Sequence, residues 1–251
     1  AVLQPGITTI KLYQSLLLEA KNISPEALVS EDLKRLQYMH GRSNAANANE
    51  LYESALTALL QKHSMDAVSA EVAYYLASLY HEQGNAVTDP THPAQWNWKT
   101  ADSICQVYIN KFPNTLGARN CSSLSERIRQ RSWGMEAEKH TLPVKPFRFL
   151  FRYQNIGNAE AKEWTVHARV AKLDPIEYRE NSRSNYGEKL IKWLKSKSET
   201  ISEKSFQVDN MGDFRQHTIE LPLDGLPIGT YVIFTASDAN VTTNKDVVAY
   251  A

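Results

Sequence analysis

The sequence has no excess of charge of either sign. Its 251 residues carry 28 Lys+Arg and 28 Asp+Glu, a formal net charge of zero, so no global field draws nucleic acid or an anionic membrane towards it. Long apolar runs are missing as well. Runs such as Leu16–Leu18 and Tyr231–Phe234 fall far short of the roughly 20 residues a membrane-spanning helix needs. What a folded core requires is present: 42% hydrophobic and 10% aromatic residues separate the chain from the low-hydrophobicity, high-charge balance of disorder. There is no initiator Met and no charged, apolar, small-residue leader, so the chain reads as a trimmed product or an excised piece. Val247–Ala251 reads as a strand without turn or polar tail, and the natural chain is expected to continue beyond it.

Catalytic and cofactor signatures are also wanting. The sequence contains neither a Gly-x-Ser-x-Gly elbow nor a phosphate-cradling glycine loop. His81-Glu82-Gln83-Gly84-Asn85 begins like a zinc-protease helix, yet Asn85 stands where the second imidazole is needed, so the ligand pair is incomplete. The other histidines, His40, His63, His92, His140, His167 and His217, share no short ligand spacing. Acidic residues are plentiful, but nothing in their order pairs two of them across a cleft as glycoside hydrolysis requires. Ser237-Asp238-Ala239-Asn240 offers oxygens without the rest of a calcium loop and is expected to be a turn. The expectation is a protein that is not an enzyme, with no cofactor and no metal.

What is there changes character in the middle. Over Leu142–Asn155 the apolar spacing passes from the repeat of a helix to that of a strand. Phe147, Phe149, Phe151 and Tyr153 fall on every second residue, with Arg148, Arg152 and Gln154 between, so one face is buried and the other wet. Pro143 and Pro146 stand at the entry, where they block helix continuation. The spacing therefore predicts a helical domain over 1–141 and a β domain over 142–251.

Upstream, Ile10, Tyr13, Leu16, Leu17 and Ala20 form one helical stripe in Ile7–Ala20. Ser24-Pro25-Glu26 opens a second helix as N-cap, first-turn proline and dipole-matched acid. It is expected to reach about Met39 and stop at Gly41, with Arg42–Asn49 a loop. In Glu50–Lys62 the side chains of Leu51, Ala55, Leu56, Leu59 and Leu60 should face inward. Met65–Gln83 and Trp96–Phe112 have the spacings of a tetratricopeptide repeat: Ala73, Leu76, Ala77 and Tyr80, then Ala101, Cys105 and Tyr108 before Phe112-Pro113. Gly84–Gln95 is an insertion where such repeats have a short turn, and Thr115–Arg131 follows as a further helix.

Downstream, Trp164, Val166, Ala168 and Val170 alternate against Thr165, His167 and Arg169. Ser205–Asp209, Phe214–Leu223 and Gly229–Ala236 follow as strands, so the pattern predicts an antiparallel β-sandwich. Asn185–Lys197 interrupts it as an inserted helix, with Tyr186, Leu190, Trp193 and Leu194 on one face.

Cys105 and Cys121 stand equally far from Pro113, eight residues on either side. If Pro113-Asn114 closes an antiparallel hairpin they lie opposite each other, either as a disulfide or as two reduced thiols filling a helix seam. Trp96 and Trp98 stand at a helix entry after His92-Pro93, where they would stack on sugars, clasp a partner, or pack under the loop they close, the commoner use of such residues. Trp193 lies on the apolar face of basic Lys189–Lys197, a pattern that suits a membrane surface. The shortness of that helix and the neutral chain argue instead for packing on the sandwich.

Several segments together are similar to the N-terminal region of large bacterial alpha-2-macroglobulin family proteins. They are Asp32-Leu33-Lys34-Arg35-Leu36, Glu50-Leu51-Tyr52, Ala101 to Cys105 with Phe112-Pro113 and Cys121, and Pro143-x-Lys145-Pro146-Phe147 leading to Tyr153-x-Asn155. To these are added Asp213-Phe214-Arg215-Gln216-His217 and Leu226-Pro227-x-Gly229-x-Tyr231-Val232. The resemblance implies a macroglobulin-like sandwich after the helical segment and a place in the bacterial envelope, periplasmic or anchored to the outer membrane. It also implies a scaffold that contributes to protease trapping, with the following domains of the same chain, a protease or an envelope protein as partners. Many family members carry a Cys-Gly-Glu-Gln thioester. Here Cys105 precedes Gln-Val-Tyr and Cys121 precedes Ser-Ser-Leu, so this stretch lacks the covalent trap. The other expectation is a helical-repeat binding module for a glycan or peptide, its repeat read from the helical spacing and its place in the envelope implied by the resemblance.

Overall fold

The computed structural model describes residues 5–87, 89, 91–239, 241 and 247–250. The chain divides into two compact units, Ala1–Arg129 and Gln130–Ala251. Helices make up the first; the second is mainly strands in two antiparallel sheets.

The helical unit runs α1 (Pro5–Ile23), α2 (Pro25–Arg42), α3 (Ala48–Lys62), α4 (Ser69–Asn85), a 3-10 turn at Pro93–Trp96, α5 (Asn97–Lys111) and α6 (Leu116–Ile128). Sequence neighbours pack on one another, and α4 also meets α6. Local chemistry fixes several ends. Ser24 accepts from the Ala27 amide at 3.1 Å with Pro25 behind it, and Thr115 does the same for Ala118 at 3.1 Å. Gly41 does not stop α2. The helix continues to Arg42 and ends on extended Ser43, because Gly41 has no positive φ and so makes none of the left-handed turn that a C-terminal glycine usually supplies.

Val29, Leu33, Leu56, Val72 and Leu76 fill the principal core of this unit, and Ala70, Ala73 and Tyr108 make a smaller cluster where α4 meets α5. Backbones come closer still where α4 meets α6. A Cβ on Gly117 would lie 2.3 Å from the Ala70 carbonyl carbon and the Glu71 nitrogen. The α4 residues Ala73, Leu76 and Ala77 are buried as their spacing requires.

The second unit begins earlier than the paired prolines. β1 (Ser132–Ala137) pairs antiparallel with β2 (Phe147–Gln154), setting Trp133 opposite Tyr153 and Met135 opposite Phe151. It occupies residues the sequence reading gave to a helical domain ending at 141, and α6 stops at Ile128 rather than Arg131. The cause is alternation: Trp133, Met135 and Ala137 pack on the β core, a period-two set too short to stand out beside the helix before it.

β3 (Glu163–Leu173) is followed by α7 (Pro175–Asn181) and α8 (Glu188–Lys197), then β4 (Glu199–Asp209), β5 (His217–Leu223), β6 (Thr230–Ala236) and β7 (Val247–Tyr250). The sheet orders are β1-β2-β5 and β4-β3-β6-β7. One apolar cluster takes Phe149, Phe151, Tyr153, Leu221 and Leu223 from the first sheet and Trp164, Val166, Val170, Val208 and Ile233 from the second. The larger sheet is covered on its other side too. Val232, Phe234 and Ala236 pack there with Leu194, Tyr178 and Trp193 from the two helices, which is why β6 is apolar without alternation.

Helix α7 is absent from the sequence reading although its start is well marked. Asp174 accepts from the Ile176 and Glu177 amides at 2.8 and 3.0 Å, with Pro175 in the first turn. Tyr186, expected on the inserted helix, precedes it and is 78% exposed. β4 begins at Glu199, earlier than Ser205, and meets β3 through an irregularity at Val170/Ala171. Asn240 and Ala251, at the ends of the expected turn and terminal strand, lie outside the described residues.

β5 starts three residues later than Phe214, because Asp213 organises a turn in its place. Phe214 has φ 63°, and the buried Asp213 carboxylate accepts from the Arg215 amide at 2.9 Å and lies 2.8 Å from His217 Nε2. Burial pushes the Asp213 carboxyl up, but these bonds and the nearby positive charges outweigh it and hold it below its ordinary value. The folded state thus favours the ionised form. Its contribution to stability is fully present above the unfolded carboxyl value of about 3.9 and is lost as pH falls through the lower folded one. Urea midpoints measured from pH 6 down to pH 2 should fall less steeply for Asp213→Asn than for the parent; parallel curves would refute the assignment.

Candidate functional site

A groove opens between α1, the end of α2 and the start of α3, with a cavity of about 540 Å³. Each helix contributes an exposed apolar side chain to it: Ile10 from α1, Met39 from α2 and Leu51 from α3. Leu36 and Tyr52, both largely buried, form the floor. Leu51 was expected to face the core with Leu56 and Leu59. It is 58% exposed, and Tyr52 takes the buried place next to it, because α3 meets α4 on one side and α2 on the other and turns Leu51 away from both.

The polar groups of the groove are few and fixed. His40 stacks on Tyr52 with centroids 4.2 Å apart and planes 10° from parallel, and its Nε2 lies 2.8 Å from Asn49 Oδ1. Arg42 lies over the Tyr38 ring at 5.8 Å. Burial first, then the charges of Tyr75 and Glu82, push the Tyr52 hydroxyl up to about 12, so it stays neutral in any physiological buffer. Among the described residues no carboxylate lines the cavity, and Arg42 is the one formally charged side chain in its wall. Such a wall, mostly apolar with a few oriented polar atoms, is what small-molecule and peptide sites share.

Sequence reasoning missed this place. It assigned Arg42 and Ser43 to a loop and found no ligand spacing around His40. The available signal was the run Tyr38-Met39-His40 at the end of α2, where aromatic and apolar residues continue beyond the stripe that meets the core.

The singled-out residues lie elsewhere. Cys105 and Cys121 are both fully buried and both free thiols, within hydrogen-bonding reach of each other across α5 and α6. The Cys105 thiol is pushed well up by that hydrogen bond and by burial, so it keeps its proton and is a poor nucleophile. Alkylation of the native, unreduced chain should add no label, and denaturation without reductant should add two. A mass that stays unchanged after denaturation would mean a disulfide.

Trp98 closes the α4–α5 seam. Its Nε1 donates to the His81 carbonyl at 3.2 Å, its ring stacks on His81 at 5.0 Å, and Gly84 lies so close that a Cβ there would be 2.5 Å from the indole. Burial, then Arg127, lowers the His81 imidazole from its ordinary value. Trp96 is 43% exposed, with Lys99 Nζ 5.6 Å from its ring centroid. Trp193 is packed against the outer cluster of the four-stranded sheet. Neither Trp96 nor Trp98 lines the α1–α3 groove. Among the described residues no three His, Cys, Asp or Glu side chains gather as a metal site, and no helix is long and apolar enough to cross a membrane.

No protein-family model matches the chain, and no curated protein matches it. Among solved structures, a β-glucosidase from Kluyveromyces marxianus in complex with glucose aligns with 48% of this chain and 13% of its own, at 10% identity and a TM-score of 0.26. An alkylpurine DNA glycosylase from Pseudomonas fluorescens, bound to DNA containing an abasic site analog, aligns with 100% of this chain and 83% of its own, at 10% identity and a TM-score of 0.25. This chain therefore spans only a small part of the β-glucosidase it aligns with. Likenesses this slight carry no argument about fold or activity.

Proposed function

We propose that this chain is a non-catalytic scaffold and interaction part of a bacterial alpha-2-macroglobulin-like envelope protein, contributing to protease trapping. In this reading the helices form a tetratricopeptide-like array and the two sheets a macroglobulin-like sandwich with inserted helices. The observation that supports it most is the single apolar cluster shared by both sheets of the second unit, the arrangement of a sandwich. Its following domains and an attacking protease are the partners it would meet. The test uses the open reading frame that contains this sequence. Incubated with a protease, the product should leave cleavage of a small chromogenic peptide intact while protecting a large protein substrate. Equal protection of both substrates, or of neither, overturns the reading.

A second reading, a helical-repeat binding module of the envelope for a glycan or peptide, is favoured by the groove between α1, α2 and α3. Helical arrays present concave surfaces of this kind to their ligands. Methyl resonances of Met39 and Ile10 should shift when soluble peptides or glycan fragments are added. No shift at any resonance of the helical unit overturns it.

A further inference from the structure

The α1–α3 groove specifies the chemistry of its occupant more narrowly than a generic binding surface does. Ile10, Met39 and Leu51 come from three different helices, are each at least 36% exposed, and converge on one cavity of about 540 Å³. Isolated exposed aliphatics are ordinary; three that share a concave wall mark a place for an apolar body. The volume falls within the roughly 300–1,000 Å³ of small-ligand pockets.

One face of each tyrosine ring is already taken. One face of Tyr52 is covered by His40 at 4.2 Å, and Arg42 sits over Tyr38 at 5.8 Å. A sugar ring or a quaternary ammonium needs an open aromatic face, and a cation would also approach Arg42. Charge points the other way. Among the described residues Arg42 has no carboxylate partner, and neither Asp nor Glu lines the cavity. A guanidinium at the edge of an apolar cavity matches a carboxylate geometrically and electrostatically, since its planar fork can donate two parallel N–H bonds.

We infer that this groove binds a small amphiphile with an apolar body and one carboxylate, the body against Ile10, Met39 and Leu51 and the carboxylate on Arg42. The inference rests on the reading of the helical unit as a binding module and assigns that module its ligand class. Decanoate, used below the concentrations at which it forms micelles, is the probe, titrated calorimetrically into the whole chain. Decanol and decyltrimethylammonium are the neutral and cationic counterparts.

Decanoate should bind saturably with one site per chain, about tenfold or more tighter than decanol, and decyltrimethylammonium should not bind. Arg42→Gln should weaken decanoate about tenfold and leave decanol unchanged, as expected for one solvent-accessible charge-assisted pair. Leu51→Glu, an exchange at an exposed position that leaves the helical circular dichroism unchanged, should abolish decanoate binding. Equal affinity for decanoate and decanol, or a decanoate affinity unchanged in Arg42→Gln, overturns the carboxylate assignment while the groove still binds. Absence of saturable binding by any of the probes overturns the ligand class, and the peptide and glycan titrations then decide separately whether the helical unit binds anything. Undiminished decanoate binding by Leu51→Glu would place the ligand elsewhere and also overturn it.

Discussion

Gly117→Ala is expected to destabilise the helical unit by about 3 kcal/mol, the upper end of the usual range for overpacking, and to lower its thermal midpoint by roughly 10 °C. Substituting alanine for glycine in a helix normally stabilises, because glycine gives up more backbone freedom on folding. Here the added methyl would lie 2.3 Å from the Ala70 carbonyl carbon and the Glu71 nitrogen and 2.5 Å from the Ala70 oxygen. These are backbone atoms of another helix, so no side-chain rotation relieves the overlap and α6 must move off α4. That movement would also loosen the cluster of Ala70, Ala73 and Tyr108 and lose its dispersion contacts.

Gly41→Ala is the internal control. It sits in the last turn of α2 with nothing within 4 Å of an added Cβ, so it should be neutral or stabilise by up to about 1 kcal/mol. Thermal unfolding followed at 222 nm reads both. A Gly117→Ala midpoint within a degree or two of the parent would mean that α4 and α6 do not approach this closely.

Arg129→Ala is expected to cost about 3 kcal/mol, the lower end for removing one partner of a buried ion pair. Asp102 is almost entirely buried. Its Oδ2 accepts from Arg129 Nη2 at 2.6 Å; its Oδ1 accepts from Arg129 Nε at 2.8 Å and from Ser125 Oγ at 2.6 Å. Gln106 extends the network by donating to Ser125 Oγ at 2.8 Å. Without Arg129 the carboxylate keeps one hydroxyl and loses its countercharge. The low end applies because the Arg129 side chain is 51% exposed, so water can enter where the guanidinium was.

The reverse truncation, Asp102→Ala, should cost less, since the orphaned guanidinium can turn to solvent while Ser125 loses one acceptor. The double variant Asp102→Leu/Arg129→Leu should be more stable than Arg129→Ala alone, because no buried charge is left unpaired. Urea denaturation of the set decides the matter. Additive costs, or an Arg129→Ala loss below about 1 kcal/mol, would show that the pair does not hold α5 to α6.

The order of the two units was legible in the residues because periodicity is a local property. Phe147, Phe149, Phe151 and Tyr153 alternate whatever they pack against, and Ser24-Pro25 caps a helix with atoms only three residues apart. β1 was not legible at the same level: Trp133, Met135 and Ala137 acquire their meaning from β2 opposite. Helix α7 is a different kind of miss. Asp174-Pro175 carries a local start signal as clear as Ser24-Pro25, but the helix it opens has only 7 residues and lies between strands, so no apolar stripe marks it.

The groove was hidden for a tertiary reason. Leu51 lies within an apolar stripe, and from the sequence every member of such a stripe points inward. Which members do so depends on where the neighbouring helices cross, and α3 turns Leu51 outwards beside Met39 and Ile10.

By itself, then, the sequence determined that helices precede strands, that Ser24 caps α2, and which faces of β2 and β3 are apolar, since each follows from atoms a few residues apart. Only the tertiary structure decided that Gly117 must lack a side chain, that Asp102 meets Arg129, and that three aliphatics and an arginine share one cavity. Those facts depend on distances between elements far apart in the chain, and no local repeat encodes such distances.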